Sequence, residues 1–376
     1  MVEVEKFCSG LKEKGIEFFT GVPDSLLKDF CAYIKDTVDS KSNIITANEG
    51  NALALASGYY LATGNPALVY MQNSGIGNAI NPLASLTDEL VYSIPALLLI
   101  GWRGEPGKKD EPQHKKQGLI TTELLEVLSI NYKVIDKETT IEEALGYVNI
   151  AIDYMNENKK PYAIVIKKEA FTKYELKNKQ ETSYDMNRER AIEIIVKNLD
   201  EKDIVVSTTG MASRELFEIR ERNGQGHEKD FLTVGSMGHA SHIGLGIALE
   251  KSNRNVYVID GDGAFIMHMG GAAIIGSEKP ENFKHIVINN GAHDSVGGQE
   301  TCGHNINMPQ IALACGYKWA KTVDSEEELA DTIEEFKTIS GPGFLEIRVK
   351  KGARKDLGRP TVAPIENKEN FMKFLQ

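Results

Sequence analysis

Short apolar runs alternate with amphipathic segments along the whole chain. The runs Ala96–Ile100, Tyr162–Ile166 and Val256–Ile259 are apolar throughout, which indicates strands that are buried on both faces. The segments between such runs have the spacing of amphipathic helices, as in Glu326–Thr338. Strands that alternate with helices predict an α/β fold with mostly parallel sheets.

The composition becomes sharply polar between two α/β stretches of similar size. We therefore expect an interdomain linker at 171–188, with one domain at 1–170 and a second at 189–376. A chain of 376 residues is long enough for two domains with buried cores. The linker is too short to contain a third, middle domain.

The net charge of −11 argues against a nucleic-acid partner, because proteins that bind phosphate backbones are normally basic. The four cysteines (Cys8, Cys31, Cys302 and Cys315) form no CxxC pair, which favours free thiols in a reducing compartment. The first residues lack the pattern of a leader, and no apolar run approaches about 18 residues. We expect a cytoplasmic protein with no membrane partner.

Two loops combine glycines with oxygen ligands. Gly261-Asp262-Gly263 follows the strand Val256–Ile259 and precedes an apolar segment, Ala264–Gly276, that we expect to be one helix. Glycines let the backbone approach a ligand, and the N–H groups that open a helix favour an anion. A second strand, His285–Ile288, ends in Asn289-Asn290-Gly291-Ala292, whose amide and carbonyl oxygens suit Mg²⁺. Their separation equals one strand–helix–strand unit, so both loops should meet at one sheet edge as a site for a metal-bridged diphosphate.

Other interpretations of these residues are weaker. Asp260-Gly261-Asp262 begins like a calcium loop, but Ala264 and Phe265 stand where an EF-hand needs an oxygen ligand and a glycine. A turn without any ligand explains the glycines but not the paired asparagines. His239 and His242 have a spacing that suits a metal, yet no acidic or cysteine partner stands at helical spacing from them.

Three further strand ends carry polar residues with two possible roles. Asp24 and Ser25 follow the strand Ile16–Thr20, and Glu49 stands at the start of a helix rich in small residues. Asp24 can cap the next helix, and Glu49 can balance a helix dipole. Thr209 follows the strand Ile204–Ser207, where capping and binding of diphosphate oxygens are equally plausible.

The segment 101–118 concentrates basic side chains beside turn residues; they are Arg103, Lys108, Lys109, His114, Lys115 and Lys116. This composition is typical of a solvated loop, although Trp102 argues against full exposure. If the segment borders the active site, it supplies cations and one imidazole for a doubly charged substrate. His293 and Gln299, in the polar loop after the asparagines, could also face substrate.

The GDG and NN motifs at this distance resemble the diphosphate and Mg²⁺ motif of thiamine diphosphate-dependent enzymes. The resemblance implies thiamine diphosphate and Mg²⁺ as cofactors, with Asp262, the Asn290 side chain and the Ala292 carbonyl as metal ligands. Asn289 is an alternative to Asn290. The further cofactor contacts that it implies are Glu49, Thr209, Gly235, Met237, Gly261, Gly263 and Ala264. Met237 could instead be an ordinary core methionine.

The resemblance also assigns an architecture and a proton transfer. It implies the thiamine diphosphate-binding fold without a middle domain, in which a pyrimidine-binding domain precedes a diphosphate-binding domain. The active site would form between subunits of a homodimer or larger oligomer. Glu49 is similar to the glutamate that exchanges a proton with the cofactor's aminopyrimidine ring.

Longer stretches, including GVPDSLL, WRGEPGKKDEPQHKKQG and NNGAHDSVGGQ, resemble the 2-oxo acid decarboxylases that act on phosphonopyruvate. This resemblance covers nearly the whole chain and implies a 2-oxo acid substrate with a phosphonate group, and phosphonoacetaldehyde as the product. Asp24 and His114 would then handle protons. The side chains expected to bind the substrate are Ser25, Arg103, Lys109 and His293.

Other functions remain as alternatives. Sulfopyruvate decarboxylases are the nearest relatives of this branch, and their two halves are often separate chains. A carboligase similar to acetolactate synthase would share the cofactor motifs but would form a larger product. A non-catalytic α/β binding protein would need no metal.

Overall fold

The computed structural model describes residues 1–178 and 182–376, and it forms two compact units, Met1–Lys179 and Gln180–Gln376. The predicted linker, 171–188, lies partly outside the described residues. At its ends the backbone is held, because Phe171 bridges Val2 and Asn187 bridges Lys350. The exact domain limits at 170 and 189 stay a prediction.

Within residues 1–178, six strands form a parallel sheet in the order β2-β1-β3-β4-β6-β5. The strands are β1 (Phe19–Gly21), β2 (Asn43–Ile45), β3 (Leu68–Gln72), β4 (Leu97–Gly101), β5 (Asn131–Ile135) and β6 (Tyr162–Ile166). The helices are α1 (Val4–Glu13), α2 (Lys28–Thr37), α3 (Glu49–Thr63), α4 (Ile76–Ser85), α5 (Pro112–Val127) and α6 (Ile141–Asn158). A short 3₁₀ turn, Asn73–Gly75, precedes α4.

Helices cover both faces of this sheet, and alternation along the strands divides its core in two. Leu97 and Leu99 of β4 belong to one apolar cluster, together with residues of α1, α2 and α6. Leu98 and Ile100 belong to the other, together with residues of α3 and α4. Successive strand side chains point to opposite faces, so a strand covered on both faces must be apolar at every position.

Within residues 182–376, six parallel strands form a second sheet in the order β13-β14-β10-β9-β7-β8, and two short strands form a separate hairpin. The strands are β7 (Ile204–Ser207), β8 (Asp230–Leu232), β9 (Val256–Gly261), β10 (Phe283–Asn289), β11 (Ala292–His293), β12 (Gln299–Glu300), β13 (Trp319–Val323) and β14 (Gly343–Arg348). The helices are α7 (Arg188–Lys197), α8 (Met211–Arg222), α9 (Ala240–Glu250), α10 (Asp262–Met267), α11 (Gly271–Glu278), α12 (Met308–Ala314), α13 (Glu326–Thr338) and α14 (Pro364–Leu375).

The second sheet is also covered on both faces. Tyr257 and Ile259 of β9 pack with residues of α7, α8 and α13, whereas Val256 and Val258 pack with residues of α9, α11 and α12. The C-terminal helix α14 was not predicted. Its Asn367 accepts from the N–H of Leu232 and donates to the carbonyl of Asp230, so α14 is fixed to the edge strand β8.

The predicted fold class is confirmed, and several elements match the predicted bounds, including β6, β7, β13 and α13. The prediction of one helix from Ala264 to Gly276 was wrong, because His268–Gly270 separates α10 from α11. α11 begins at Gly271, where a Cβ would lie 2.4 Å from Cε1 of His242, so the start of this helix packs directly against that ring. Among the described residues, none of the helices has the length and apolar composition that a membrane span requires.

Candidate active site

The register of the second sheet brings the two predicted metal loops together. Ile288 of β10 pairs with Gly261 of β9, so Asp262 and Asn290 leave neighbouring strands at the same edge. The Asp262 carboxyl group accepts hydrogen bonds from the backbone N–H of Gly263 and of Asn290. The hydroxyl of Thr301 also donates to Asp262 Oδ2. Loops that are distant in sequence therefore meet at one carboxylate.

The Asp262 carboxyl group is buried, and its partners are neutral donors. Burial raises its pKa to about 7, because the charged form loses its hydration. A divalent cation at this oxygen would supply the missing positive charge. No cluster of three His, Cys, Asp or Glu side chains suited to a metal occurs in 1–178 or 182–376, so a metal here would also need amide or carbonyl oxygens.

The two asparagines have different environments. The Asn289 amide donates to the Gly303 carbonyl at 2.9 Å and to Glu346 at 2.7 Å, while its oxygen accepts from Gly291 N–H. Asn289 thus connects the loop at Gly303 with Glu346 of β14. The Asn290 amide donates to Asp294 at 2.6 Å, and its oxygen accepts from Ala292 N–H at 3.0 Å.

Arg188 donates to both Asp294 and Glu215, and Asp294 accepts the amide of Asn290. This ion-pair network orients Asn290 from outside the loop. The carbonyl of Ala292 stands at the start of β11, two residues after Asn290. The structure therefore brings the three predicted metal ligands, Asp262, Asn290 and Ala292, to one loop cluster.

Three of the predicted cofactor residues lie at the same sheet edge. The Thr209 hydroxyl accepts from the N–H of Gly235 at 3.0 Å, which joins the loops after β7 and β8. Gly210 is the N-cap of α8 and makes no side-chain cap, so Thr209 does not cap that helix. Met237 reaches the GDG turn, because a Cβ on Gly263 would lie 3.5 Å from its Cε.

His293 also reaches this turn. A Cβ on Gly263 would lie 3.0 Å from Cε1 of His293, so the ring packs closely against the turn. Burial of the His293 ring lowers its pKa to about 4, and the ring is neutral at pH 7. Ala264 is buried in the first turn of α10, a helix of six residues. Because α10 is so short, an anion at this turn would be held by the backbone N–H groups of the turn and not by the dipole of a long helix.

Two threonines that had no role in the sequence analysis are further candidates for contact with a diphosphate. The hydroxyls of Thr208 and Thr233 are buried at the ends of β7 and β8 and have no hydrogen-bond partner among the described residues. Unpaired buried hydroxyls destabilise a protein unless a ligand or water pairs with them. Together with the uncompensated Asp262 carboxylate, they fit a metal-bridged diphosphate. The sequence signal that could have identified the two threonines is their position at the ends of strands.

In the first unit, Glu49 is buried at the start of α3. Asn48 is the N-cap, and its side chain accepts from Asn51 N–H, so the helix is capped without Glu49. The Glu49 carboxyl group instead accepts from the amide of Asn78 at 2.8 Å. Burial raises the pKa of Glu49, and the bond from Asn78 opposes this only in part.

Asp24 is fully buried at the end of β1. Its carboxyl group accepts from Gln72 Nε2 at 2.5 Å and from Leu26 N–H at 2.9 Å. Burial raises its pKa, against the lowering effects of Gln72, Leu26 and the Arg103 charge. α2 begins at Lys28 with Leu27 as N-cap, so Asp24 does not cap it. Gln72 had no individual role in the sequence analysis; its position at the end of β3 was the signal.

The basic segment is more ordered and less cationic than its composition predicts. Arg103 donates to Asp110 through Nε at 2.9 Å and through Nη2 at 2.5 Å, and its Nη1 donates to Ser25 Oγ at 2.9 Å. Asp110 therefore balances the Arg103 charge, which sequence reasoning missed. Asp24, Ser25 and Arg103 form one connected group.

His114 lies in α5, which begins at Pro112, so the loop interpretation was wrong for the segment's second half. Trp102 is half-buried and donates to the Gly118 carbonyl at 2.9 Å, which anchors the segment. Burial, with the nearby Arg103 charge, lowers the pKa of His114 to about 4. Lys109 is exposed, so the structure does not bring it into the group around Asp24.

Two family models match the chain. The model described as thiamine pyrophosphate enzyme, N-terminal TPP binding domain, matches residues 4–124. The model described as thiamine pyrophosphate enzyme, C-terminal TPP binding domain, matches residues 208–347. The two matches fall in the first and the second unit, respectively.

Several named proteins are similar in sequence. A phosphonopyruvate decarboxylase of Streptomyces viridochromogenes is 33% identical over 390 residues, which cover 100% of this chain and 95% of that protein. A sulfopyruvate decarboxylase of Methanosarcina acetivorans is 28% identical over 394 residues, which cover 99% of this chain and 97% of that protein. The beta subunit of a sulfopyruvate decarboxylase of Methanocaldococcus jannaschii is 42% identical over 188 residues, which cover 49% of this chain and 95% of the subunit.

We predict that Gly75→Ala lowers kcat by about 100-fold or more, because a misplacement of about 1 Å can cost this much. The new methyl group would lie 2.2 Å from Glu49 Oε1, so the carboxyl group must move. Gly75 has φ −72°, so alanine causes no backbone strain. Steady-state kinetics measure the loss of kcat. Calorimetry measures the binding of thiamine diphosphate with Mg²⁺, which should persist.

Gly146→Ala in α6, with no atom within 4 Å of its Cβ, is the control. Equal kcat in both variants contradicts the prediction.

Asp262→Ala is expected to abolish Mg²⁺-dependent binding of thiamine diphosphate, because it removes the buried carboxylate. Calorimetry with Mg²⁺ and with EDTA measures this. Asp331→Ala, at an exposed position of α13, is the matched control. Unchanged affinity in Asp262→Ala would refute the metal role.

The lowered pKa of His114 keeps this ring out of the pH profile near neutrality. The ring stays neutral until the pH falls to about 4, so His114 should add no break to kcat/KM between about pH 5 and 7. His114→Gln should lower kcat/KM by about 10²-fold without adding a break near pH 6.5. A wild-type break near pH 6.5 that disappears in His114→Gln would show that the ring titrates normally.

Proposed function

This chain belongs to the thiamine diphosphate-dependent decarboxylases, in the family of phosphonopyruvate decarboxylase, and we propose that it converts phosphonopyruvate to phosphonoacetaldehyde and CO₂. The observation that carries this proposal is the full-length similarity at 33% identity to a protein with that name. The connected group of Asp24, Ser25 and Arg103 supports it, because a second acidic group on the substrate needs such donors.

When bound, thiamine diphosphate supplies the nucleophile and the electron sink that decarboxylation of a 2-oxo acid requires. We propose that Asp262, Asn290 and the Ala292 carbonyl hold Mg²⁺ against its diphosphate. The turn Gly261–Ala264 and the Thr209 hydroxyl would contact the diphosphate oxygens. Gly235 and Met237 would contact the organic part of the cofactor, in keeping with the short distance between Met237 and Gly263.

Glu49 would exchange a proton with the aminopyrimidine of the bound cofactor. Burial raises its pKa, which suits this role, because the carboxyl group then keeps its proton to a higher pH than usual and can donate as well as accept. Asn78 fixes one oxygen, and the absence of a side chain on Gly75 leaves space for the other. The carboxyl group is thereby held in one orientation.

Asp24 would deliver the proton that replaces CO₂ on the substrate carbon. Burial keeps its carboxyl group protonated to a higher pH than usual, and Gln72 fixes its orientation. His114, which is neutral at pH 7, would act as a hydrogen-bonding partner and proton acceptor rather than as a cation.

Arg103 and Ser25 would bind the phosphonate, with His293 as a neutral donor from the other unit. Arg103 uses Nε and Nη2 on Asp110, so Nη1 is the nitrogen best placed to serve both Ser25 and the substrate. Lys109 would contribute only if the segment moved on binding, because it is exposed.

Decarboxylation of sulfopyruvate is the second candidate. The observation that favours it is the 42% identity to a sulfopyruvate decarboxylase beta subunit, although that similarity covers 49% of this chain. A sulfonate is also an oxyanion, so it can accept from the same donors. Phosphonopyruvate is preferred because its named relative matches the full chain at higher identity than the full-length sulfopyruvate relative does.

We infer that the working enzyme is a homodimer or a larger oligomer. Each unit carries only part of the chemistry, with Glu49 and Asp24 in the first and Asp262 in the second. A complete site must bring these groups together, and we propose that it does so between two copies of the chain. The alpha and beta subunits of the M. jannaschii sulfopyruvate decarboxylase match 42% and 49% of this chain, respectively.

A substrate panel tests the proposed function. With thiamine diphosphate and Mg²⁺, we expect kcat/KM for phosphonopyruvate to exceed that for sulfopyruvate by about 10-fold and that for pyruvate by about 10³-fold, because the donors would be left unpaired without the second acid. Aldehyde and CO₂ release measure this. A preference for sulfopyruvate would change the substrate and keep the mechanism, whereas no aldehyde from any acid would refute decarboxylation.

The same panel tests Arg103. Arg103→Gln should raise KM for phosphonopyruvate by about 10- to 100-fold, the effect of losing one charge-assisted hydrogen bond. KM for pyruvate should change little. Lys116→Gln, at an exposed position of α5, is the control. If KM rises equally for both acids, Arg103 does not bind the phosphonate.

A further inference from the structure

A small hairpin stands directly after the metal loop. β11 (Ala292–His293) pairs with β12 (Gln299–Glu300) in antiparallel register, so that His293 and Gln299 are directly opposite. Thr301 N–H donates to the Gly291 carbonyl at 3.0 Å, which continues the ladder by one position. Directly opposite residues of an antiparallel pair project to the same face.

That face is turned towards the GDG motif. His293 reaches Gly263, and Thr301 donates its hydroxyl to Asp262. Gln299 is opposite His293 and two residues before Thr301, and residues two apart on a strand share a face. His293, Gln299 and Thr301 therefore form a row along the turn that is proposed to hold the diphosphate and Mg²⁺.

Gln299 is a fully buried member of this row, and its side chain has no hydrogen-bond partner among the described residues. Its side chain is 2% exposed, and neither Nε2 nor Oε1 has a hydrogen bond to any described residue. A buried amide with no partner destabilises a fold. The amide of Asn289, in the same unit, makes three hydrogen bonds, so the fold is able to satisfy a buried amide.

The hairpin makes space for the Gln299 amide. A Cβ on Gly297 would lie 2.9 Å from both Nε2 and Oε1 of Gln299, and Gly297 has φ +122°. Gly298 follows with φ +77°. Both conformations favour glycine. The tight end of the hairpin therefore lies against the Gln299 amide without forming a hydrogen bond to it.

We propose that the Gln299 amide donates to an oxyanion bound against the GDG turn, and that the hairpin shifts on binding to bring the two together. The oxyanion is either the cofactor's diphosphate or an acidic group of the substrate. A neutral amide suits this place, because it donates to an anion without adding a cation beside Mg²⁺. The substrate source rests on the proposed function, whereas the cofactor source does not.

The test compares Gln299→Met, which keeps the volume and removes the hydrogen bonds, with Gln299→Glu, which keeps the shape and replaces the donor by an anion. Gln310→Met, at an exposed position of α12, is the control. The measurements are the melting temperature without ligands, the calorimetric Kd of thiamine diphosphate with Mg²⁺, and KM for phosphonopyruvate.

Gln299→Met without ligands should melt no lower than wild type, because the amide has no partner to lose. With ligands, either Kd or KM should rise by about 10-fold, and more in Gln299→Glu, because a carboxylate repels an oxyanion. A weaker Kd identifies the diphosphate as the partner. A raised KM with unchanged Kd identifies the substrate.

The proposal is overturned if Kd and KM both stay within twofold of wild type in either folded variant, whatever the melting temperature. A lower melting temperature with unchanged Kd and KM would mean that Gln299 is purely structural. If wild-type protein decarboxylates none of the three acids, the proposed function fails. In that case Kd for thiamine diphosphate alone decides the role of Gln299.

Discussion

Parallel pairing of β9 with β10 brings the backbone of Asn290 against the Asp262 carboxyl group, and the chemistry of the second unit depends on this contact. A shift of register by one residue would move the asparagines to the other face and separate the loops. Thr301 and Gly303 then approach the same carboxylate from the loop that follows. The sheet thus fixes the arrangement of the proposed metal ligands before any ligand binds.

Three buried carboxyl groups share one feature, which is a glycine packed directly against the carboxyl group. Glu49 lies against Gly75, Asp24 against Gly101, and Asp262 against Gly303, and a Cβ on any of these glycines would come within 2.8 Å of a carboxyl oxygen. The direct partners of all three acids are neutral donors, and burial raises the pKa of each. Buried acids without cations destabilise the apoprotein, and ligands that supply charge or exchange protons compensate for this.

The side chains proposed to bind the substrate carry little positive charge. Arg103 is bound to Asp110, and His114 and His293 are neutral at pH 7. Selection of a doubly charged acid would then depend on oriented donors more than on net positive charge, which agrees with a chain of net charge −11. Neutral donors can pair with an oxyanion without attracting every anion in solution.

The sequence alone determined the two α/β units, the strands of their two six-stranded sheets, and the loops that carry Asp262, Glu49 and Asp24. Apolar runs, glycines and polar strand ends are local properties. Tertiary structure decided what those side chains touch. The pairing of Arg103 with Asp110, the amide of Gln72 on Asp24, and the separation of α10 from α11 all depend on segments meeting in space. No local pattern encodes such contacts, because burial, the pKa of a carboxyl group and the space beside a glycine are set by neighbours distant in sequence.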